Sequence, residues 1–299
     1  MKRAGAGLAI ILTGCLLVFG IARFGGKQAL PPTAAPLFEL LGKPIKTADV
    51  ALTKVLPIDD VDEKELGDAI AARYISYGED SPERLYVQDL VTNLTKNNSK
   101  GFQYRAYIME YPEPNAMAMP GGVLFVTRGL LDMVQSESEL VAVLGHEIGH
   151  VELSHCMDMV RFELLNRKMH GRMLGELADV AVQVMLTPAF SKTQEADADA
   201  YGFQVLVREK YDPFGMERTF DRLADLSSSE QRQSMDPVSE YFMSHPYSHL
   251  RARKYESEAK LVDLDRFYLG EMNLKDLTSR YKEEYPKEWK EKESNDSDN

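Results

Sequence analysis

A mainly α-helical fold with one small antiparallel β-sheet is the architecture this sequence predicts, and three observations predict it. Apolar residues recur at helical spacing through most of residues 61–226. Only residues 102–127 interrupt them with the two-residue rhythm of strands. Within that interval Pro120-Gly121-Gly122 supplies a turn between two short apolar runs, as neighbouring strands require.

The elements follow in order. Between residues 61 and 94, Leu66, Ile70 and Tyr74, then Leu85, Leu90, Val91 and Leu94, mark two amphipathic helices. They part at residues 78–82, where Ser81 suits an N-cap and Pro82 the first helical position. Phe102 to Tyr111 alternates and is rich in aromatic residues until Pro112 and Pro114 stop it, and Asn115 to Met119 and Val123 to Thr127 flank the turn. Ser136-Glu137-Ser138-Glu139 opens a helix with acids in its first turn, favourable for the helix dipole, and the pattern continues to about Val160. Met173 to Leu186 is strongly apolar but carries Glu176 and Asp179, so it reads as core or membrane-surface contact. A helix spans about Thr193 to Val207, and after a break at residues 210–215 another runs to Leu226.

Composition sets the outer limits. The 299 residues are 44% apolar and 27% charged, enough for one well-filled core. A formal net charge of −12 argues against nucleic acid as a partner, because phosphate binding needs clustered Lys and Arg. Cys15 and Cys156 are the two cysteines and are too far apart in context to form a disulfide framework. Residues 4–22 carry no charge and are long enough to cross a bilayer. They read as a signal anchor, a cleaved signal peptide, or a lipoprotein signal in which Leu12-Thr13-Gly14-Cys15 resembles a lipobox. Each reading exports the rest of the chain, with the membrane as a partner through this segment.

The chemistry concentrates at His146-Glu147-Ile148-Gly149-His150. On a helix, positions four apart share a face, so both imidazoles reach one ion, and Glu147 sits one residue round, near a water on that ion. Zinc hydrolysis needs this set: a Lewis acid with an open position and a base. A metal-free core helix carrying the same residues would bear the cost of desolvating them. One class of such sites takes its third ligand ten residues after the first histidine, but here that position is Cys156. Another takes a glutamate from a second helix. Glu195 and Asp199 are four apart and flanked by alanines that permit close packing. Glu195 is the candidate third ligand, and Asp199 the acceptor for a ligand histidine's N–H. His245, in Ser244-His245-Pro246 before Arg251, reads equally as an oxyanion donor or a surface turn residue. His155, His170 and His249 carry no comparable argument.

Four ordered motifs together resemble the HtpX-like and CAAX-protease-like zinc metallopeptidases of metallopeptidase family 48. They are residues 115–122 with 127–131, residues 146–150 with His155, Glu195 to Asp199, and Ser244 to Pro246 with Arg251. The resemblance runs from about Leu66 to about Lys254 and implies a zincin-like (gluzincin) fold, expected over residues 58–270. Composition places a signal segment at 1–22 and a linker at 23–57 before it and a polar tail at 271–299 after it. The resemblance also implies one Zn2+ per chain on His146, His150 and Glu195, Glu147 as general base, and His245 as a transition-state donor. Asn115, Ala116, Met117 and Arg251 are then expected to meet substrate, the first three on an edge strand lining the cleft. With one plausible span, this chain is similar to exported, singly anchored bacterial members acting in envelope protein quality control, and prenyl-protein processing is not expected. Extended or misfolded polypeptides and envelope assembly factors are the implied partners. A zinc-containing chaperone or binding module is the competing reading, and a latent enzyme plugged by residues 173–186 is a third reading compatible with the peptidase.

Overall fold

A computed structural model describes residues 60–74, 80–158, 160, 181–182, 190–228 and 249–291, all within one compact unit spanning residues 49–299. The expected signal segment (1–22) and linker (23–57), Cys15 and His245 lie outside the described residues. So does the apolar segment from Met173 to Leu186, apart from Ala181 and Val182, which are helical and buried.

The two expected leading helices are α1 (Asp60–Arg73) and α2 (Pro82–Leu94). Ser81 caps α2 by accepting from the Arg84 N–H, with Pro82 at its start. Three strands follow: β1 (Arg105–Met109), β2 (Ala116–Met119) and β3 (Val123–Thr127). Their order is β1-β3-β2, with β2 antiparallel to β3 and β1 parallel to it. The sheet is therefore mixed. The chain leaves β1 through the loop containing Pro112 and Pro114, runs back along β2, and turns at Pro120–Gly122 to insert β3 between the two. That turn needs its glycines: Gly121 has φ 73°, and a Cβ on it would lie 2.7 Å from the Glu63 carbonyl oxygen of α1.

Thr127 caps the short α3 (Arg128–Met133), and Ser136 caps α4 (Glu137–Glu152), the helix carrying both candidate histidine ligands. Every residue of α4 from Glu137 to Val151 is buried, so it is the central helix of the molecule. Its sequence pattern continues to about Val160, but α4 ends at Glu152. Ser154 adopts φ 63°, the left-handed conformation that breaks a helix, and helix resumes at 155–158 in a new direction. Next come α5 (Lys192–Arg208), opened by a Ser191/Gln194 capping box, then α6 (Phe214–Ser228) and α7 (His249–Leu261). The α4 helix packs against β2 on one side and α5 on another, α6 also leans on α4, and α7 packs on α6.

β4 (Arg266–Tyr268) comes next, and α8 (Glu271–Asp276) and β5 (Trp289–Glu291) lie within residues 271–299, expected from the sequence as a polar tail. The segment they form closes the N-terminal end of α4. The first N–H groups of a helix have no partner within it. Here Glu137 N–H donates to the Gly270 carbonyl and Ser138 N–H to that of Leu269, each at 3.0 Å.

Candidate active site

Two glycine contacts bring the site together. A Cβ on Gly145 would lie 2.9 Å from the Gly202 Cα, and one on Gly202 would lie 2.8 Å from the His146 backbone nitrogen. With hydrogen at both positions, α4 and α5 cross almost backbone to backbone. Two helical turns before Gly202, Glu195 then points at the histidine face of α4, and Asp199 follows one turn behind it.

His146, His150 and Glu195 are all buried, and each offers one ligand atom within 4.8 Å of the others. His146 Nε2 is 3.1 Å from His150 Nε2 and 3.7 Å from Glu195 Oε2, and His150 Nε2 is 3.4 Å from Glu195 Oε1. Four-coordinate zinc with bonds of 2.0–2.1 Å sets neighbouring donors about 3.3 Å apart. The three donors match that spacing, and two imidazoles with one carboxylate are a donor set suited to zinc.

The surrounding contacts fix each donor. His146 Nδ1 lies 2.9 Å from Asp199 Oδ1, leaving Nε2 aimed at the cluster. Arg251 reaches Asp199 with Nε at 2.9 Å and a second guanidinium nitrogen at 2.5 Å, and its third nitrogen lies 3.2 Å from Glu195 Oε2. The guanidinium rests on the Phe220 ring, 4.7 Å from its centroid. Arg251, expected from the sequence to meet substrate, thus meets the carboxylates of Asp199 and of the candidate ligand Glu195. Burial pushes the Asp199 carboxyl up, but His146 and Arg251 outweigh it and hold the carboxyl below its usual range. Burial likewise disfavours the charged His146, while Asp199, Glu195 and Glu147 raise its pKa on balance.

Glu147 faces the sheet. Its Oε2 accepts the Ala118 N–H at 2.8 Å. The Asn115 carbonyl accepts the Thr127 N–H and so faces β3. By strand alternation Ala116 and Ala118 therefore turn their amides and carbonyls to the outer edge. Asn115, Ala116 and Met117 stand on or beside this edge strand, and all three are buried. The other outward carbonyl, that of Ala118, is 3.5 Å from Cys156 Sγ. Cys156 is a buried free thiol whose pKa burial raises well above normal, and it stands outside the three-donor cluster.

Sequence reasoning passed over two contacts. The turn at Ser154 returns His155 to α4, with its Nδ1 3.1 Å from His150 Nδ1. Phe190, just before α5, stacks on the His150 ring at 4.0 Å between centroids. The motif resemblance includes His155 but not its contact, which depends on the break at Ser154, and the sequence carries no signal for Phe190.

The model of peptidase family M48 matches residues 83–259, more than half of the chain. This chain belongs to peptidase family M48. Its relatives include the metalloprotease LoiP of Escherichia coli K12, 30% identical over 175 residues that cover 54% of this chain and 66% of LoiP. The metalloprotease YcaL of the same organism is 28% identical over 265 residues, covering 82% of this chain and 91% of YcaL. The β-barrel assembly-enhancing protease of Yersinia pestis is 28% identical over 181 residues, 54% of this chain but only 36% of that protein. The chain thus spans just under two thirds of LoiP's length and about a third of the Yersinia protein's. In this M48 chain, all of the three-donor cluster and Glu147 fall inside the matched residues.

Proposed function

We propose that this chain is a zinc-dependent endopeptidase hydrolysing internal bonds of extended or misfolded polypeptides in the bacterial cell envelope. The observation that carries the proposal is the bond from Ala118 N–H to Glu147 Oε2. It ties the base of the histidine motif to an edge strand, beside three donors spaced for zinc. A closed structural zinc site takes four protein ligands, whereas among the described residues this one offers three with a carboxylate alongside.

Zinc in such a site supplies Lewis-acid chemistry, polarising a carbonyl oxygen and acidifying water. The remaining work falls to the chain's own residues. A substrate strand adds along β2, pairing at the outward amide and carbonyl of Ala116. Glu147, its Oε2 steadied by Ala118, takes a proton from the attacking water and delivers it to the leaving amine. His146 and His150 are held by the groups behind them, and Arg251 acts as a positioning residue through Asp199 and Glu195. His245 is proposed as a donor to the developing oxyanion.

The uncharged run at residues 4–22 supports membrane anchoring with the catalytic domain exported, or lipidation at Cys15. The name of the Yersinia relative supports envelope assembly factors as partners. The test is cleavage of casein by zinc-loaded wild type and Glu147→Gln. The variant should keep zinc and lose activity about 10²–10⁴-fold. Zinc binding without cleavage by either protein would point to a binding module instead.

A further inference from the structure

The two histidines of the cluster are held by chemically different partners. His146 Nδ1 meets the carboxylate of Asp199, while His150 Nδ1 meets the ring nitrogen Nδ1 of His155 at 3.1 Å. His150 directs Nε2 at Glu195 and at His146 Nε2. A nitrogen that binds metal needs its lone pair, so the proton of neutral His150 must sit on Nδ1. That N–H is buried and needs an acceptor. The atom facing it is Nδ1 of His155, which accepts only if His155 carries its own proton on Nε2.

We infer that His155 is a positioning residue, locking His150 into its metal-binding tautomer by accepting the His150 Nδ1–H. The inference rests on the zinc site proposed above. The chain is built to deliver this contact. On an uninterrupted helix, residue 155 would lie about 140° round from residue 150. Ser154, at φ 63°, turns the chain so that the next helical residue folds back beneath His150. His155 is 5% exposed, and the His150 ring is clamped on its other side by Phe190. Ring plane and proton position are therefore fixed by two separate residues.

A packing role and a tautomer role make opposite demands on substitutions. His155→Leu fills the space without an acceptor, whereas His155→Asn places an amide oxygen near the Nδ1 position. Zinc affinity, measured by chelator competition, should fall roughly 10–100-fold in His155→Leu and recover most of that loss in His155→Asn. If His155→Leu binds zinc as tightly as wild type, or binds it better than His155→Asn, the inference fails. Should either variant misfold, nitrogen-15 NMR of zinc-loaded wild type gives the answer directly. His150 should be protonated on Nδ1 and His155 on Nε2, and a His155 proton on Nδ1 would overturn the assignment. Absence of zinc from wild type itself would instead remove the underlying zinc reading.

Discussion

At the scale of single residues, the two histidines of the site are backed by different partners, a carboxylate for His146 and an imidazole for His150. Asp199 is buried against His146, with Arg251 balancing its charge. Asp199→Ala should therefore weaken zinc binding by about 10–100-fold, measured by chelator competition with secondary structure retained. Glu137, at the opposite end of α4, tests burial away from the three-donor cluster. It accepts from the Tyr211 hydroxyl at 2.6 Å and the Arg280 N–H at 3.0 Å, but burial dominates and lifts its pKa from the ordinary 4.5 to about 7. A folded pKa above the unfolded one means that the native state binds the proton more tightly. Glu137 therefore stabilises the fold most below pH 4.5, and that contribution is lost as pH rises through about 7. In chemical denaturation of metal-free protein, Glu137→Gln should show less loss of stability than wild type between those pH values. The difference should be on the order of a few kcal/mol. Parallel profiles would refute it.

At the scale of elements, the crossing of α4 and α5 brings Glu195, the proposed third ligand, to the two histidines. Gly202→Ala puts a methyl 2.8 Å from the His146 backbone nitrogen, which cannot swing aside as a side chain could. The expected cost is about 1–3 kcal/mol in urea unfolding, with zinc affinity reduced as Glu195 moves away. Unchanged stability and affinity would show that the two helices are free to separate. The same crossing explains what was legible in the sequence. Glu195 and Asp199 could be read because i,i+4 spacing on a regular helix fixes relative direction, and their alanine neighbours signalled close packing. His155 could not, because Ser154 breaks the register that such reasoning assumes. Arg251 was legible as part of a motif, but its partners lie on another helix more than fifty residues away. Strand positions were legible from alternation and proline breaks, and β3 matched its expected span. Strand order was not, since local pattern does not say which strand lies between the other two.

At the scale of the whole molecule, the metal helix is held at both ends. Its N-terminal N–H groups donate to Leu269 and Gly270, while at its C-terminal end Glu152 accepts from the Tyr104 hydroxyl and the Ser99 N–H and hydroxyl. The C-terminal segment was hard to read because its apolar and aromatic residues, Tyr268, Tyr281 and Trp289 among them, are scattered among charges. In the fold these rings and Tyr211 gather around the Arg280 guanidinium. Truncation after residue 265 should therefore lower the thermal midpoint of the whole unit, since it strips acceptors from the buried start of α4. An unchanged midpoint would make the segment a mere appendage. The account's central claim is that His146, His150 and Glu195 hold one zinc ion. The most direct test is zinc content of wild type and Glu195→Ala after dialysis against a weak chelator. The account predicts one zinc per wild-type chain and none on the variant. Equal zinc on both, or none on either, would contradict it.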